Sequence, residues 1–349
     1  MIVDELLLGR SLVVCVGPGG VGKTTLSAGF GARAAKLGRK AAVLTIDPAK
    51  RLADALGLDG LDDELASVAV PDGWSPLAAA MLETRSSYDA LIRRITRTPE
   101  EERAILENVA YRAFSRTLAR SHAYVAMERL HHVLASGEHD LVVLDTPPTR
   151  NALEILDAPG RLARFLDDRV VRLFLSAGRG GFRASSAVVR TLSKLAGDST
   201  VEELLSFFSV LAHLREGFQA RAEAMTARLR DPATAFVLVA AATPTALADA
   251  GALAEGLAAR EVAIDLCVLN QSYVAEPDAP SAPVRHTDDE GWARRYFANE
   301  NEARLELART FVAGLPGAPP ARILPELERE LRDLETLAGL LELGMDDAG

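Results

Sequence analysis

The sequence predicts an α/β fold built on a mostly parallel, doubly wound sheet, with an α-helical subdomain formed by insertions. Three observations predict it. Short apolar runs rich in Val, Leu and Ala recur along the 349 residues, apolar on both faces, as strands of a parallel sheet covered by helices should be. One of these runs feeds a glycine-rich loop and then an Ala/Leu-rich helical stretch. Two long intervening stretches carry apolar residues at steps of three and four instead.

The strand candidates are 11–17, 41–46, 77–82, 140–145, 235–241 and 264–269. The first holds Leu12-Val13-Val14-Cys15-Val16 and runs into Gly17-Pro18-Gly19-Gly20-Val21-Gly22-Lys23-Thr24-Thr25. That loop satisfies G-x-x-x-x-G-K-[ST], and Leu26 to Leu37 follow it as a helix. Strand, glycine loop and helix is the context a phosphate-binding P-loop needs. Gly17, Gly19, Gly20 and Gly22, with Val21 and Thr25, let backbone N–H groups turn inward on a phosphate, and the helix N-terminus adds its partial positive charge. Lys23 can reach the β- and γ-phosphates of ATP or ADP, and Thr24 can ligate Mg²⁺.

The second strand leads to Thr45-Ile46-Asp47-Pro48-Ala49-Lys50-Arg51. Asp47 stands where ligands sit in open α/β sheets, beyond the carboxyl end of a strand. A carboxylate there can orient water for attack on a γ-phosphate. It could also cap a helix over 49–57, and the two roles are compatible. Further on, Leu141-Val142-Val143-Leu144 ends in Asp145-Thr146-Pro147-Pro148-Thr149. Asp145 fits a Walker B carboxylate that holds the Mg²⁺ shell. The catalytic candidates are therefore Lys23, Asp47 and Asp145, and the metal candidates are Thr24 and Asp145.

Residues 1–84, 137–150 and 231–349 read as the P-loop ATPase core. Residues 85–136 and 151–230 read as helical insertions that form a subdomain. Within them Leu162, Phe165, Leu166, Val170, Leu173 and Phe174 make one stripe, and Leu204, Phe207, Phe208, Leu211, Leu214 and Phe218 another. Gly178-Arg179-Gly180-Gly181 reads as a joint between helices. Six of the eleven Phe fall between 165 and 218. This surplus suits a packed helical core, or a groove for an apolar helical client. Residues 275–290, rich in Pro, Asp and Ala, read as a loop.

Composition narrows the function classes. A 48% hydrophobic chain can bury a sizeable core, and a net charge of −10 argues against a nucleic-acid partner. Cys15 and Cys267 lie inside apolar runs and match no metal spacing, so they read as inert buried thiols. Residues 1–10 lack a signal-peptide pattern, and no apolar run reaches the ~18 residues of a membrane span. A cytoplasmic protein without an integral membrane segment is the expectation.

Gly17 to Thr25, Asp47-Pro48-Ala49 with Leu52-Ala53-Asp54-Ala55-Leu56, and Asp145-Thr146-Pro147-Pro148-Thr149-Arg150-Asn151-Ala152-Leu153 together resemble the ArsA family. That family includes arsenite-pump ATPases and the tail-anchored-protein targeting ATPases, and belongs to the deviant Walker A group of dimeric P-loop ATPases. Tyr124-Val125-Ala126-Met127-Glu128-Arg129-Leu130 and Leu156-Asp157-Ala158-Pro159 are similar to its bacterial ArsA-like members. The resemblance covers nearly the whole chain. It implies a switch I role for Asp47, a switch II role for 145–149, adenine recognition by Asn270, and a late loop at Leu324-Pro325-Glu326 that brings Pro325 to the adenine. It also implies Mg·ATP hydrolysis by a nucleotide-driven dimer that moves a helical client- or partner-binding subdomain.

The departures from the family pattern bear on the partner. The deviant loop carries a lysine at the position held here by Pro18, and that lysine reaches across the dimer to the partner's phosphates. Lys50 and Arg51 replace the His-Asn of the targeting ATPases, and Arg51 is the candidate for a compensating charge. The zinc-bridging C-x-x-C and the arsenite-binding cysteine triad are absent from the sequence. The partner implied is a second ArsA-like subunit, in a homodimer or in a heterodimer with a lysine-bearing paralogue. The alternatives are a catalytically weak regulatory or scaffold subunit of such a heterodimer, or a membrane-protein targeting factor. A DNA-partition ATPase is opposed by the acidic balance. A division-site ATPase is opposed by the acidic segment 326–349, and an iron–sulfur carrier by cysteines placed in strands.

Overall fold

The computed structural model describes residues 2–47, 49–82, 93, 96, 98–108, 122–148, 152–154, 156–157, 220–274, 288–327, 331 and 333–347. Contacts between Cα atoms divide the chain into two compact units. One holds residues 1–81, 136–153 and 230–349, and the other holds 82–135 and 154–229. The two helical stripes, the glycine joint at 178–181, Pro48, and residues 149–151 and 275–287 lie outside the described residues.

The first unit opens with α1 (Ile2–Gly9), β1 (Leu12–Val16), α2 (Lys23–Lys36), β2 (Ala41–Thr45), α3 (Arg51–Leu56), β3 (Ala66–Val68) and β4 (Leu77–Met81). In the second unit, α4 (Pro99–Leu106) and most of α5 (His122–Ser136) follow. The chain then returns to the first unit with β5 (Leu141–Asp145), β6 (Thr234–Ala241), α6 (Pro244–Ala258), β7 (Leu266–Val274), α7 (Asp288–Ala313), β8 (Ala321–Glu326), α8 (Leu334–Leu340) and β9 (Met345–Asp347). Within the second unit, Arg221 pairs with Glu128 at 2.8 Å.

The sheet has nine strands in the order β3-β4-β2-β5-β1-β6-β7-β8-β9. All neighbours run parallel except the two outermost pairs, β3 with β4 and β8 with β9. Every residue of β1, β2, β5 and β6 is buried. That is why these strands read as unbroken apolar runs: helices cover both faces, so no face needs polar side chains. From β1 the chain moves outward through β2 to β4, returns to β5, and then crosses to β6 on the other side of β1. β1 therefore lies where the strand order reverses, and a ligand crevice forms at the carboxyl ends of strands around such a point.

Three strands escape a periodicity reading. β3 and β9 have three residues each, and β8 carries Arg322 and Pro325 in its six. Leu324-Pro325-Glu326, expected in a loop, instead end β8. A proline is tolerated there because the antiparallel partner, β9, pairs only with Ala321, Arg322 and Ile323. Residues 288–290, expected in a loop, begin the 26-residue α7. The helix expected over 49–57 begins only at Arg51, with Lys50 at its N-cap position. Asp47 is therefore not its cap. Its Oδ1 accepts the Ala49 N–H at 3.0 Å in a local turn. No helix among the described residues is long and apolar enough to cross a membrane.

Candidate nucleotide site

A cleft of about 920 Å³ opens beyond the carboxyl ends of the strands, within the first unit. Its lining gathers Gly19, Gly20, Gly22, Lys23, Thr24 and Thr25 from the turn after β1, Asp47 and Arg51 after β2, and Thr146 and Pro148 after β5. Asn270 and Gln271 of β7 and Pro325 of β8 complete it. Segments drawn from Gly19 to Pro325 thus face one volume. Asp145 lies just beneath, as the last residue of β5.

Two glycines in the loop are required by geometry. Gly17 has φ +157, and a Cβ there would stand 2.0 Å from the Val239 carbonyl oxygen of β6. Gly22 has φ +85 and caps α2, and a Cβ there would meet Asn270 Nδ2 at 2.3 Å. The loop therefore lies tight against β6 and β7, and only bare backbone fits. The Asn270 amide nitrogen donates to the Val21 carbonyl at 3.0 Å, fastening β7 to the loop. This uses the donor half of the amide that the sequence suggested for adenine.

Burial works against the charged forms of Lys23 and Asp145. Lys23 is buried, and its ammonium donates to the Pro18 carbonyl at 2.6 Å. Desolvation lowers its pKa, against the opposing pull of Asp145. Asp145 is 1% exposed. Its Oδ2 accepts the hydroxyls of Thr24 at 2.8 Å and Thr45 at 2.9 Å, and its Oδ1 accepts Ser27 at 3.5 Å. Burial raises its pKa, and the Thr24 and Thr45 hydroxyls and Lys23 partly offset that. Thr146 donates to the Cys15 carbonyl at 2.7 Å, so the turn after β5 is tied to β1. The Cys15 thiol, wholly enclosed, is pushed up to about 12 and is inert at neutral pH.

Asp47 sits on the other wall. Its N–H donates to Thr45 Oγ1 at 3.2 Å, and its Oδ2 pairs with the Arg51 guanidinium at 3.4 Å. Thr45 therefore bridges the segments of Asp47 and Asp145. Reading single motifs did not single out Thr45 or Ser27. The available signal was a lone hydroxyl at the end of an apolar strand, and another inside an Ala/Leu helix. Gln271, at φ 53 in the bulge of β7 between Leu269 and Tyr273, was also missed. So was the apolar end of the cleft at Leu327, Leu331 and Leu340.

Thr24 Oγ1 and Asp145 Oδ2 are adjacent oxygens, the hard donors magnesium takes. The loop excludes side chains at Gly17 and Gly22 while Gly19 and Gly20 are exposed. The residues fit Mg²⁺ and a polyphosphate.

Residues 10–291 match the family model described as Anion-transporting ATPase, ArsA. The chain is 28% identical over 203 residues to the putative arsenical pump-driving ATPase 2 of Aquifex aeolicus, covering 55% of this chain and 59% of that protein. It is 27% identical over 154 residues to the ATPase GET3 of Malassezia globosa, covering 44% of each. An uncharacterized protein of Streptomyces coelicolor is 29% identical over 347 residues, covering 97% of this chain and 77% of that protein. The chain thus spans 59% and 44% of the lengths of the two named ATPases.

Proposed function

Because the chain belongs to the ArsA family of anion-transporting ATPases, we propose that it binds Mg·ATP in the cleft and hydrolyses it to ADP and phosphate. The observation that carries this reading is the convergence of Lys23, Thr24 and Asp47 on one cleft, with Asp145 bonded to Thr24 beneath it, beside a loop that admits no side chain at Gly17 or Gly22. Lys23 and the loop amides hold the phosphates, with Lys23 exchanging its Pro18 carbonyl for phosphate oxygens. Thr24 and Asp145 hold the metal, which when bound neutralises phosphate charge. Asp47 orients the water and accepts its proton as the water oxygen bonds to the γ-phosphorus and the bond to the β-phosphate oxygen breaks. Asn270, through its side-chain carbonyl, and Pro325 border the adenine. Purified protein should release phosphate from ATP with Mg²⁺ and stop with EDTA. A chain that binds no ATP under either condition overturns the reading.

The working unit in this reading is a cytoplasmic dimer with a second ArsA-like subunit. Residues 85–136 and 151–230 form the helical subdomain whose position follows the nucleotide and which takes an apolar helical client or a partner. Crosslinking to a hydrophobic-helix peptide with and without ATP tests the client.

Pro18 favours a second reading, a catalytically weak subunit paired with a lysine-bearing paralogue. The position is buried, and proline offers no charge to a neighbouring subunit. A missing charge-assisted contact to a transition-state phosphate costs on the order of 10³-fold in rate. Mass and turnover of the isolated chain, repeated with Pro18→Lys, decide between the readings. A fast homodimer unchanged by Pro18→Lys removes the second.

A further inference from the structure

Among the described residues lining the cleft, the positive charges are Lys23 and Arg51 and the negative ones are Asp47, Asp54 and Asp59. The two cations differ. Lys23 is buried and committed to a loop carbonyl. The Arg51 side chain is 66% exposed, stands in the first turn of α3, and touches Asp47 Oδ2 through a single 3.4 Å contact. An exposed, single-contact pair of this kind contributes little and exchanges readily.

The same contact has a consequence for Asp47. One carboxylate oxygen, Oδ1, accepts the Ala49 N–H, and the other, Oδ2, faces Arg51. Both oxygens are therefore engaged, one by backbone and one by a cation that opens on the cleft. A water bonded to Oδ2 would share that oxygen with the guanidinium until the pair opens. A phosphate group carries more charge than a carboxylate and accepts both arms of a guanidinium, so it is the stronger partner.

We infer that Arg51 is a triphosphate sensor: a terminal phosphate in the cleft takes the guanidinium from Asp47, and that exchange both binds the γ-phosphate and frees Asp47 Oδ2 for water. A diphosphate ends too early to compete, so with ADP the Arg51–Asp47 pair persists. The step is an exchange of ion pairs, with no bond made or broken. It rests on the ATPase reading and adds to it the element that tells ATP from ADP.

The test compares equilibrium binding of the non-hydrolysable ATP analogue AMP-PNP and of ADP, both with Mg²⁺, to wild type, Arg51→Ala and Arg51→Lys. The exposed side chain predicts that all three melt within a degree or two of one another. Arg51→Ala should weaken AMP-PNP about tenfold or more while changing ADP less than twofold, and Arg51→Lys should recover part of the loss. An Arg51→Ala protein that keeps the wild-type ratio of the two affinities overturns the sensor and leaves the ATPase reading standing. A wild type that binds neither nucleotide overturns both.

Discussion

Helix α2 carries a cluster of charged groups near each end, and the two are built on opposite principles. At its start, Lys23 bonds a carbonyl and Asp145 bonds hydroxyls. Burial dominates there, lowering the pKa of the lysine and raising that of the aspartate. Near its end, Arg33 grips both oxygens of Asp4 at 2.8 and 2.9 Å and also contacts Glu342, joining α1, α2 and the segment after α8. Pairing dominates there, holding Asp4 low and Arg33 high. The second cluster satisfies its charges and serves the fold. The first leaves charge undersatisfied, as a site must if a polyphosphate and a metal are to complete it.

The sharpest test of this contrast is at the site. Lys23→Ala should weaken ATP binding by about 100-fold or more, since two charge-assisted bonds are each worth about 1.5–3 kcal/mol. It should cost little or nothing in unfolding free energy, because the lysine's burial is unfavourable. Asp47→Asn should leave ATP affinity near wild type and lower kcat by about 10²–10⁴-fold, because an amide cannot accept the water's proton. Calorimetric binding and phosphate release separate the two. Wild-type turnover by Asp47→Asn would remove Asp47 from the assigned role.

Arg33→Ala should show the reverse pattern. It strands Asp4 and should cost about 2–3 kcal/mol in urea unfolding, with nucleotide affinity unchanged in whatever fraction stays folded. If Arg33→Ala instead lowers ATP affinity while stability holds, the clamp belongs to the site and the contrast fails.

A paired pH experiment then reads the two principles directly. The raised pKa of Asp145 means the folded chain binds its proton more tightly than the unfolded chain does. Its charge therefore costs stability once the pH exceeds the ordinary aspartate value. The melting temperature of Asp145→Asn, relative to wild type, should become more favourable as pH rises from about 3 toward 7. Asp4 is depressed, so its contribution is present above the ordinary aspartate value and is lost as pH falls. Asp4→Asn should fall further behind wild type as pH rises toward 7 and close the gap as pH falls. Equal slopes for the two variants would contradict the comparison.

The smallest expected effect is at the bulge of β7. Gln271 holds φ 53 beside Asn270 in the cleft wall, a conformation that glycine adopts without strain. Gln271→Gly should raise stability by less than about 1 kcal/mol, since relief of strain is partly offset by the added freedom of the unfolded chain. A loss would show that the glutamine side chain, not the backbone, sustains the bulge.

The P-loop, the six apolar strands and the two strand-end aspartates were legible because each is local. A glycine loop between a buried strand and a helix has one geometry, and strands buried on both faces have one composition. The edge strands were not legible, since β3 and β9 take their conformation from a neighbour rather than from three residues of their own. The turn at Asp47 read as a helix cap because an aspartate that caps and one that makes a local turn look alike in sequence. Contacts between distant segments set the rest of the site. Val21 meets Asn270 across 249 residues and Thr24 meets Asp145 across 121. The sequence alone named the candidate groups for phosphate chemistry. Tertiary packing alone decided which charges are paired and which are kept waiting, because desolvation and ion pairing depend on what the fold brings within a few ångströms.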